Sequence, residues 1–505
     1  MEPHDRPRRF ERRLLAPAIG AWGAAAGCTL LAPRTAATIA ILGCVVALLS
    51  WRLAGNLRVV VVVVGVVVGV GVGAASSAWH VHALRVGPVP ALAEQQSDVE
   101  VVARLVRDPV AVTTAAGSHL TLTDATVTSV LDGTWRSANS PILVLSYGAG
   151  WIGLLPGQRV DVSGKLSPPR RGDDVAAVLD ARGPPTPIGR PPWWQRFAGR
   201  ARLALRRACS GLPADERGLL PGLVDGDVTA EPAALTTDMR LTGLTHLQAV
   251  SGENVSVVLA VTMAVARSIG LRRRSRVVVA SVALLGFVIL ARPSPSVLRA
   301  AVMGGIVLGA MMAGRRVAAL PVLSAAVLAL VAVDPFLARS IGFVLSVCAT
   351  AAILLVAPCW TRRLSRHMPA AAAAAIAVPA AAQLACTPVL ILAFGQLTPY
   401  AIPANLLVAP AVVPATVLGV VCAVVASVAG SVAVPIAWLG AWPTAVIAVV
   451  ARALAGLPGA GLRWPGGAPT DLAVSAVVIA GVTMRARRVR HRPSSARAIL
   501  SAWQR

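Results

Sequence analysis

The residues best suited to chemistry lie in the stretch 239–258, inside a long apolar segment. They are His246, Gln248, Ser251, Gly252, Glu253 and Asn254. Polar and ionisable side chains are costly in a bilayer, so such a cluster should face a protein interior or a water-filled cavity. On one continuous helix His246 and Glu253, seven residues apart, would share a face, with Asn254 beside it. The stretch therefore predicts either a polar translocation path or a helix N-terminus at the membrane surface whose polar groups act as caps.

A second group of polar residues is compatible with a pore lining or with a structural role. It contains Asp225, Asp227, Arg292, Arg299, Asp334, Gln383, Gln396 and Asn405. Asp225 and Asp227 would diverge on a helix, whereas on a turn they could flank a cation or serve as turn residues. Arg299 should lie inside a helix, where it needs an aqueous lumen or a partner such as Asp334 or Glu253. The last three residues lie in a proline-broken region, which is tolerated where it lines a cavity.

A basic amphipathic stretch, WWQRFAGRARLALRRAC, covers residues 193–209. Its charges come from five arginines: Arg196, Arg200, Arg202, Arg206 and Arg207. Tryptophan, phenylalanine and leucine supply the apolar side. This pattern is typical of an interfacial helix on anionic lipid. The alternative is an arginine surface that meets a polyanion such as DNA.

Cysteine and histidine patterns predict neither a disulfide framework nor a metal site. None of the seven cysteines lies in the one region that reads as soluble. The pair His80-x-His82 lies at a membrane exit without a nearby carboxylate. We therefore interpret that pair as interfacial and expect no bound metal or cofactor.

Composition identifies the class of protein that must position these residues. The chain has 505 residues, of which 56% are hydrophobic, and a mean hydropathy of +0.71. This predicts an α-helical polytopic membrane protein and argues against a soluble enzyme. Apolar runs lie at about 14–32, 35–51, 58–78, 244–268, 277–291, 296–313, 317–333, 339–357, 370–395, 401–428, 432–455 and 471–484. They predict about twelve spans, since a span needs about 20 residues.

Membrane topology explains most of the net charge of +25. Arginines cluster at 6–13, 52–58, 272–276, 315–316, 362–366 and 485–492. With the N-terminus inside, each cluster falls on the cytoplasmic side, as the positive-inside rule requires. The prediction is an inner-membrane protein with both termini cytoplasmic and residues 84–190 outside the cytoplasm.

Residues 84–190 differ from the rest of the chain because apolar and polar residues alternate there. The segments 99–106, 119–127, 141–147 and 159–166 read as strands separated by turn residues. They predict a small barrel or sandwich, which we assign to an OB-like β domain. The resulting organisation is an N-terminal anchor (1–83), the β domain (84–190), a basic helix and connector (191–242), a channel domain (243–485) and a basic tail (486–505).

Seven segments, in order, resemble the ComEC competence family, the inner-membrane channel for DNA uptake. The most specific is LTGLTHLQAVSGENVSVV (241–258), which is similar to the family's signature segment. The others are GQRVDVSGKLSPP (157–169), GDDVAAVLDARG (172–183), LVDGD (223–227), RPSPSVLRAAVMG (292–304), VDPFLARSIGFVLSVCATAAIL (333–354) and QLACTPVLILAFGQLTPYAIPANLLVAPAVV (383–413). Two features depart from the family pattern. Asn254 stands where the signature usually has histidine, and the soluble region contains few aromatic residues for base stacking.

The resemblance implies that DNA arrives outside, one strand is degraded and the other crosses the membrane. Many relatives carry a metallo-β-lactamase-like nuclease domain, but no His-x-His-x-Asp-His cluster occurs here. We therefore expect a channel for single-stranded DNA that is not itself an enzyme. Its expected partners are the lipid bilayer, a separate nuclease and a cytoplasmic DNA motor, and self-association into a homo-oligomer is compatible with the sequence. Two alternatives stay open: a transporter or flippase for another anionic substrate, and a membrane nuclease.

Overall fold

A computed structural model describes residues 14–53, 57–113, 119–147, 150–170, 172–248, 250–315 and 317–464. The arginine clusters at 6–13 and 485–492, the apolar run at 471–484 and the basic tail lie outside these residues. The chain divides into two compact units, described separately below. The first contains Met1–Glu231, Leu247–Phe343 and Val413–Thr444, and the second contains Pro232–His246, Val344–Val412 and Ala445–Arg505.

Seven strands form the described part of the soluble-looking region in the first unit. They are β1 (Asp98–Leu105), β2 (Val110–Thr113), β3 (His119–Asp132), β4 (Thr134–Ser146), β5 (Arg159–Ser167), β6 (Ala177–Ala181) and β7 (Thr186–Ile188). Five of them close a ring in the order β1-β3-β4-β6-β5 and back to β1. The pairing of β4 with β6 is parallel, and the other pairings in the ring are antiparallel. The predicted small β barrel is thus confirmed.

The barrel interior follows from the alternation in the sequence. Along β1 the buried residues include Val101, Ala103 and Leu105, which share one face because strand side chains alternate. Ile142 and Val144 of β4 contribute to the same core. Trp151, from the loop after β4, is fully buried in that core and is therefore not a surface on which a base could stack.

The rest of the described chain is mostly helical. The helices of the N-terminal part are α1 (Leu15–Cys28), α2 (Pro33–Leu53), α3 (Leu57–Arg85) and α4 (Pro88–Glu94). After the barrel come α5 (Trp193–Cys209), α6 (Ala214–Asp225), α7 (Ala233–Leu241), α8 (Thr245–Gln248), α9 (Gly252–Ser268), α10 (Arg273–Ala291), α11 (Pro295–Met312) and α12 (Ala319–Val333). They continue with a 3-10 helix (Pro335–Arg339), α13 (Ile341–Leu355), α14 (Ala357–Leu364), α15 (Ala370–Phe394), α16 (Ala401–Ala426) and α17 (Gly430–Ala455).

Fewer helices qualify as membrane spans than the twelve predicted. Within the described residues, six are long and apolar enough: Val62–Arg85, Arg273–Ala291, Pro295–Met312, Ala370–Phe394, Ala401–Ala426 and Gly430–Ala455. A seventh results if α13 and α14, bent by 43° at their junction, form one span. α1 and α12 are apolar but shorter than a span. The run predicted at 14–32 is shortened because its helix ends at Cys28, before Pro33 begins the next one.

Glycines set the packing of α1 against α3. A Cβ atom at Gly73 would lie 2.3 Å from the carbonyl oxygen of Ala21, and one at Gly69 would lie 2.0 Å from that of Pro17. No side chain fits at these distances, so the two backbones approach each other only because both positions lack one. The Gly- and Val-rich third apolar run is therefore a helix-packing surface.

The signature segment is not one helix. α8 ends at Gln248 and α9 begins at Gly252. Ser251 has extended backbone geometry, and its Oγ accepts hydrogen bonds from the backbone N–H groups of Glu253 and Asn254. The expectation that His246 and Glu253 share a helical face was wrong, because this cap starts a new helix between them.

Candidate functional site

The LVDGD segment forms a tight turn at the end of α6. Gly226 has a φ of +77°, and its N–H bonds the carbonyl of Gly222. Asp225 Oδ1 accepts the backbone N–H of Asp227 at 3.0 Å. Asp227 Oδ1 in turn accepts the N–H of Thr229 at 3.1 Å and its hydroxyl at 2.6 Å. The left-handed glycine and these two Asx-type bonds hold both carboxylates in fixed positions.

α5 supplies two arginines to these carboxylates. Its buried face consists of small residues and Leu205, and it packs on α6 and on parts of α16 and α17. Arg202, beside this face, donates to the backbone carbonyl of Asp225 at 2.6 Å, and its Nε lies 3.6 Å from Asp225 Oδ2. Arg206 Nη1 lies 3.2 Å from Asp227 Oδ2. From the sequence, Arg202 and Arg206 were predicted to contact lipid or DNA. In the fold, both instead form ion pairs with aspartates of the same protein.

A third carboxylate comes from the barrel. Asp108 lies between β1 and β2, and its two oxygens bind different arginines. Oδ2 accepts from Arg202 Nη1 at 2.9 Å, and Oδ1 accepts from Arg292 Nη2 at 2.6 Å. Arg292, between α10 and α11, also donates to Gln195 Oε1 of α5. We call the six groups the arginine–aspartate cluster: Asp108, Asp225, Asp227, Arg202, Arg206 and Arg292.

Burial sets the electrostatics of this cluster. The Asp225 side chain is fully buried, and this desolvation raises its pKa from 3.8 to about 6, although Arg202 acts in the opposite direction. Desolvation likewise lowers the pKa of Arg292 to about 10, against the influence of Asp108. Arg292 therefore remains a cation at neutral pH, and its charge requires the neighbouring carboxylate.

The start of the signature helix α9 is bonded to the same turn. Asn254 is buried, and its Nδ2 donates to the carbonyl oxygen of Leu223 at 2.7 Å. Its Oδ1 accepts from the hydroxyl of Ser251 at 3.3 Å. Asn254 thus joins α9 to the LVDGD turn. An amide serves this role well because it donates and accepts at once without carrying a charge.

Two further signature residues make contacts within the first unit. Gln248 is buried, and its Nε2 donates to Glu231 Oε1. Gly252 faces Arg299, because a Cβ atom at Gly252 would lie 2.9 Å from Arg299 Nη2. Arg299 is buried, and its Nη1 lies 3.1 Å from the sulfur of Met303. Gly252 thus leaves space for a guanidinium beside the first turn of α9.

Other candidate residues are exposed. Glu253 points outward from the first turn of α9, where the positive end of the helix dipole stabilises a carboxylate. Arg200 and Arg207 are exposed on α5, opposite its packed face, whereas Arg196 is half-buried. Trp193 and Phe197 are also exposed there, at 69% and 60%. α5 is thus amphipathic, as the sequence indicated, with a buried face of small residues and an exposed face that carries arginines and aromatic side chains.

Asp334 lies away from the arginine–aspartate cluster. Its Oδ1 caps the 3-10 helix by accepting the N–H of Phe336 at 3.0 Å. It also lines a cavity of about 280 Å³ together with His80, Asn139 and Asp174. Asp334 therefore has a local structural role. The cavity lies between the barrel and the end of α3.

Four candidates belong to the second unit, and each makes local contacts. His246 is exposed, with Nδ1 3.1 Å from the carbonyl oxygen of Gly243. Gln383 Nε2 donates to the hydroxyl of Thr398 at 3.3 Å. Asn405 Nδ2 donates to the carbonyl of Ala401 at 2.7 Å. Gln396 lies in a two-residue strand that pairs with Leu462–Arg463.

The carboxylates of the arginine–aspartate cluster are engaged by arginines. The Asp225 and Asp227 carboxylates, which could have flanked a cation, each face an arginine. Within the described part of the chain, no three His, Cys, Asp or Glu side chains group closely enough for a metal ion. Sequence reasoning missed Asp108 and Glu231. The only signal for Asp108 was its position after the first strand and directly before Pro109. An acidic residue before proline in a turn is common in proteins and does not indicate a site.

Comparison with known proteins places the family. A family model described as Competence protein matches residues 223–489, just over half of the chain, from the LVDGD turn onward. ComE operon protein 3 of Bacillus subtilis (strain 168) is 28% identical over 200 residues. That match covers 39% of this chain and 25% of the relative, so the chain aligns with about a quarter of that protein. No solved structure matches. On the extent of the family match, the chain belongs to the competence protein family.

Proposed function

We propose that this protein is an inner-membrane channel that translocates single-stranded DNA into the cytoplasm during natural transformation. The observation that carries the proposal is the competence family match, which begins at the LVDGD turn and includes the signature helix. The similarity to ComE operon protein 3 supports the same role in DNA uptake. Among the described residues, six or seven apolar helices are long enough to supply the membrane-spanning part.

The barrel supports a DNA-handling role outside the cytoplasm. A five-stranded ring of this kind is the architecture of OB-folds, many of which bind oligonucleotides. Two aromatic side chains on its described surface, Trp135 and Tyr147, are well exposed. Because base stacking contributes about 1–3 kcal/mol per base, we propose weak, transient binding. Weak binding suits conduction, since a tightly held strand would stall.

We further propose that the chain carries the strand without cutting it, and that a separate nuclease and a cytoplasmic motor act with it. The engagement of Asp225 and Asp227 by arginines supports this division of labour. A cleavage assay with the purified protein, DNA and Mg²⁺ or Mn²⁺ tests it. Metal-dependent cleavage that is lost in Asp225→Asn would establish the rival nuclease function.

The decisive experiment for the proposal follows labelled DNA into the cytoplasm of the native host, with the gene deleted and then restored. We expect deletion to abolish internalisation while DNA bound at the surface remains, and restoration to recover it. Unchanged internalisation would refute the proposed function and favour a transporter or flippase for another anionic substrate.

A further inference from the structure

The arginine–aspartate cluster holds a carboxylate in the manner in which arginines hold phosphate. The two oxygens of Asp108 are bound by two arginines on different elements, at 2.9 Å from Arg202 and 2.6 Å from Arg292. The two non-bridging oxygens of a phosphodiester present a similar pair of acceptors, and guanidinium groups recognise both anions. The arginine pair is therefore chemically suited to either occupant.

The charges of the cluster balance only while Asp108 is in place. Three arginines face three aspartates, so the cluster is neutral as observed. Withdrawal of Asp108 would leave one uncompensated positive charge on side chains that are 13% (Arg202) and 14% (Arg292) exposed. Buried unpaired charges are strongly disfavoured. A single phosphodiester, with one negative charge, would restore the balance.

Asp108 is placed where it can leave. It lies in the short 106–109 connection, and its side chain is 30% exposed, about twice as much as either arginine. The following strand, β2, pairs only with β3 and is not part of the closed ring. Asp108 can therefore move without opening the barrel, and solvent already reaches it.

The backbone at Arg292 supplies an independent indication of function. Its φ of +65° and ψ of 147° fall in a region occupied almost entirely by glycine. Such strain persists where the surroundings fix a residue for ligand binding or switching. Here the strained backbone directs a guanidinium toward Asp108.

We propose that Arg202 and Arg292 form a binding site for a phosphodiester group of nucleic acid, and that Asp108 occupies this site until a phosphodiester replaces it. The proposal rests on the proposed function and deepens it. Exchange at Asp108 would detach the barrel loop from an arginine that also binds the LVDGD turn. Arrival of a strand would thus be coupled, through Arg202 and Asp225, to the segment that anchors the signature helix.

The test measures binding of a fluorescein-labelled oligothymidylate to the full chain in maltoside detergent, which contains no phosphate. Asp108→Asn removes the resident anion while preserving side-chain shape. We expect about tenfold tighter binding and a logarithmic salt dependence steeper by about one unit, as expected for one added phosphate contact. The matched control is Asp98→Asn, which makes the same charge change at an exposed barrel ion pair with Arg182. It should change affinity by less than about twofold.

Two further variants locate the effect. In Asp108→Asn combined with Arg292→Gln, affinity should match that of Arg292→Gln alone, because the gain depends on Arg292. Arg292→Gln alone should weaken binding about threefold and reduce the salt slope by about one unit, which tests the site even if Asp108→Asn folds poorly. Equal gains from the Asp108 and Asp98 variants, or a gain that survives the loss of Arg292, would overturn the proposal.

A lipid phosphate is the other source of the same chemistry. Short-chain phosphatidylglycerol, added as a competitor, should leave the oligonucleotide bound to the Asp108 variant. Displacement at submicellar concentration would assign the site to lipid and overturn the nucleic-acid assignment. Failure of the uptake experiment with this binding intact would refute translocation but not the phosphate site, and the reverse pattern would refute only the site.

Discussion

Replacement of Asn254 by leucine tests whether the signature helix and the LVDGD turn act as one unit. The substitution removes the 2.7 Å hydrogen bond from Nδ2 to the Leu223 carbonyl and the acceptor for the Ser251 hydroxyl. Asn254 is 3% exposed, so water cannot readily replace either bond. A buried polar group left without a partner costs about 1–3 kcal/mol.

That cost should appear as faster local opening. A free-energy change of this size corresponds to about a 5- to 150-fold change in an equilibrium constant. We therefore expect backbone amides of residues 222–229 to exchange hydrogen faster by about that factor in Asn254→Leu, because their turn loses its tie to α9. Hydrogen–deuterium exchange with mass spectrometry on the purified protein measures this directly.

Ser256→Ala is the matched control. Ser256 lies on the same helix, but its hydroxyl bonds only the Gly252 carbonyl one turn earlier and is exposed. It should leave exchange at 222–229 unchanged. If Asn254→Leu behaves like this control, the turn does not depend on Asn254 and the inferred coupling is wrong. If exchange increases as expected, DNA internalisation should fall in the same variant, although the protein still inserts.

Three further predictions use other contacts. Burial keeps Asp225 protonated up to about pH 6 in the folded state but only to about 3.8 in the unfolded state, so its contribution to stability falls as pH rises through this window. Between pH 4 and 7, the free energy of unfolding of the native protein should therefore fall by up to about 3 kcal/mol relative to that of Asp225→Asn, as measured by thermal unfolding. A difference that stays constant with pH would contradict the burial argument. Gly73→Ala places a methyl group 2.3 Å from the backbone oxygen of Ala21 and should lower the monodisperse fraction on size-exclusion chromatography. Gly23→Ala, which has nothing within 4 Å of the added methyl, should not lower it. Equal behaviour of the two variants would exclude close α1–α3 packing. Glu253→Leu should leave the fold intact because Glu253 is exposed, and retention of DNA uptake would remove Glu253 from the proposed conduit.

The sequence predicted the features that depend on local pattern. Alternation of apolar and polar residues located β1 and β5 almost completely and the first part of β3 and the second part of β4, because burial on one face of a strand imposes a period of two. Long apolar runs identified a membrane protein, since a bilayer requires about 20 apolar residues per span. The ordered motifs from LVDGD onward indicated the competence family, and the family match has the same starting point.

The sequence was least reliable where a run of apolar residues is interrupted. Hydropathy alone does not show where a helix ends. The first helix ends at Cys28, short of the run predicted at 14–32, and the Ser251 cap divides the run predicted at 244–268. For this reason the sequence placed His246 and Glu253 on one helix.

Only the tertiary structure determined the partners of the charged residues. Asp108 is 94 residues from Arg202 in the chain, and Asn254 is 31 residues from Leu223. Local pattern carries no information about such pairings, because they arise when separate elements pack together. The sequence therefore identified Arg202, Arg292 and Asp225 as unusual residues, and folding determined that they neutralise one another around a carboxylate from the barrel. Side-chain burial makes that neutralisation obligatory, since an arginine removed from water requires an anion beside it.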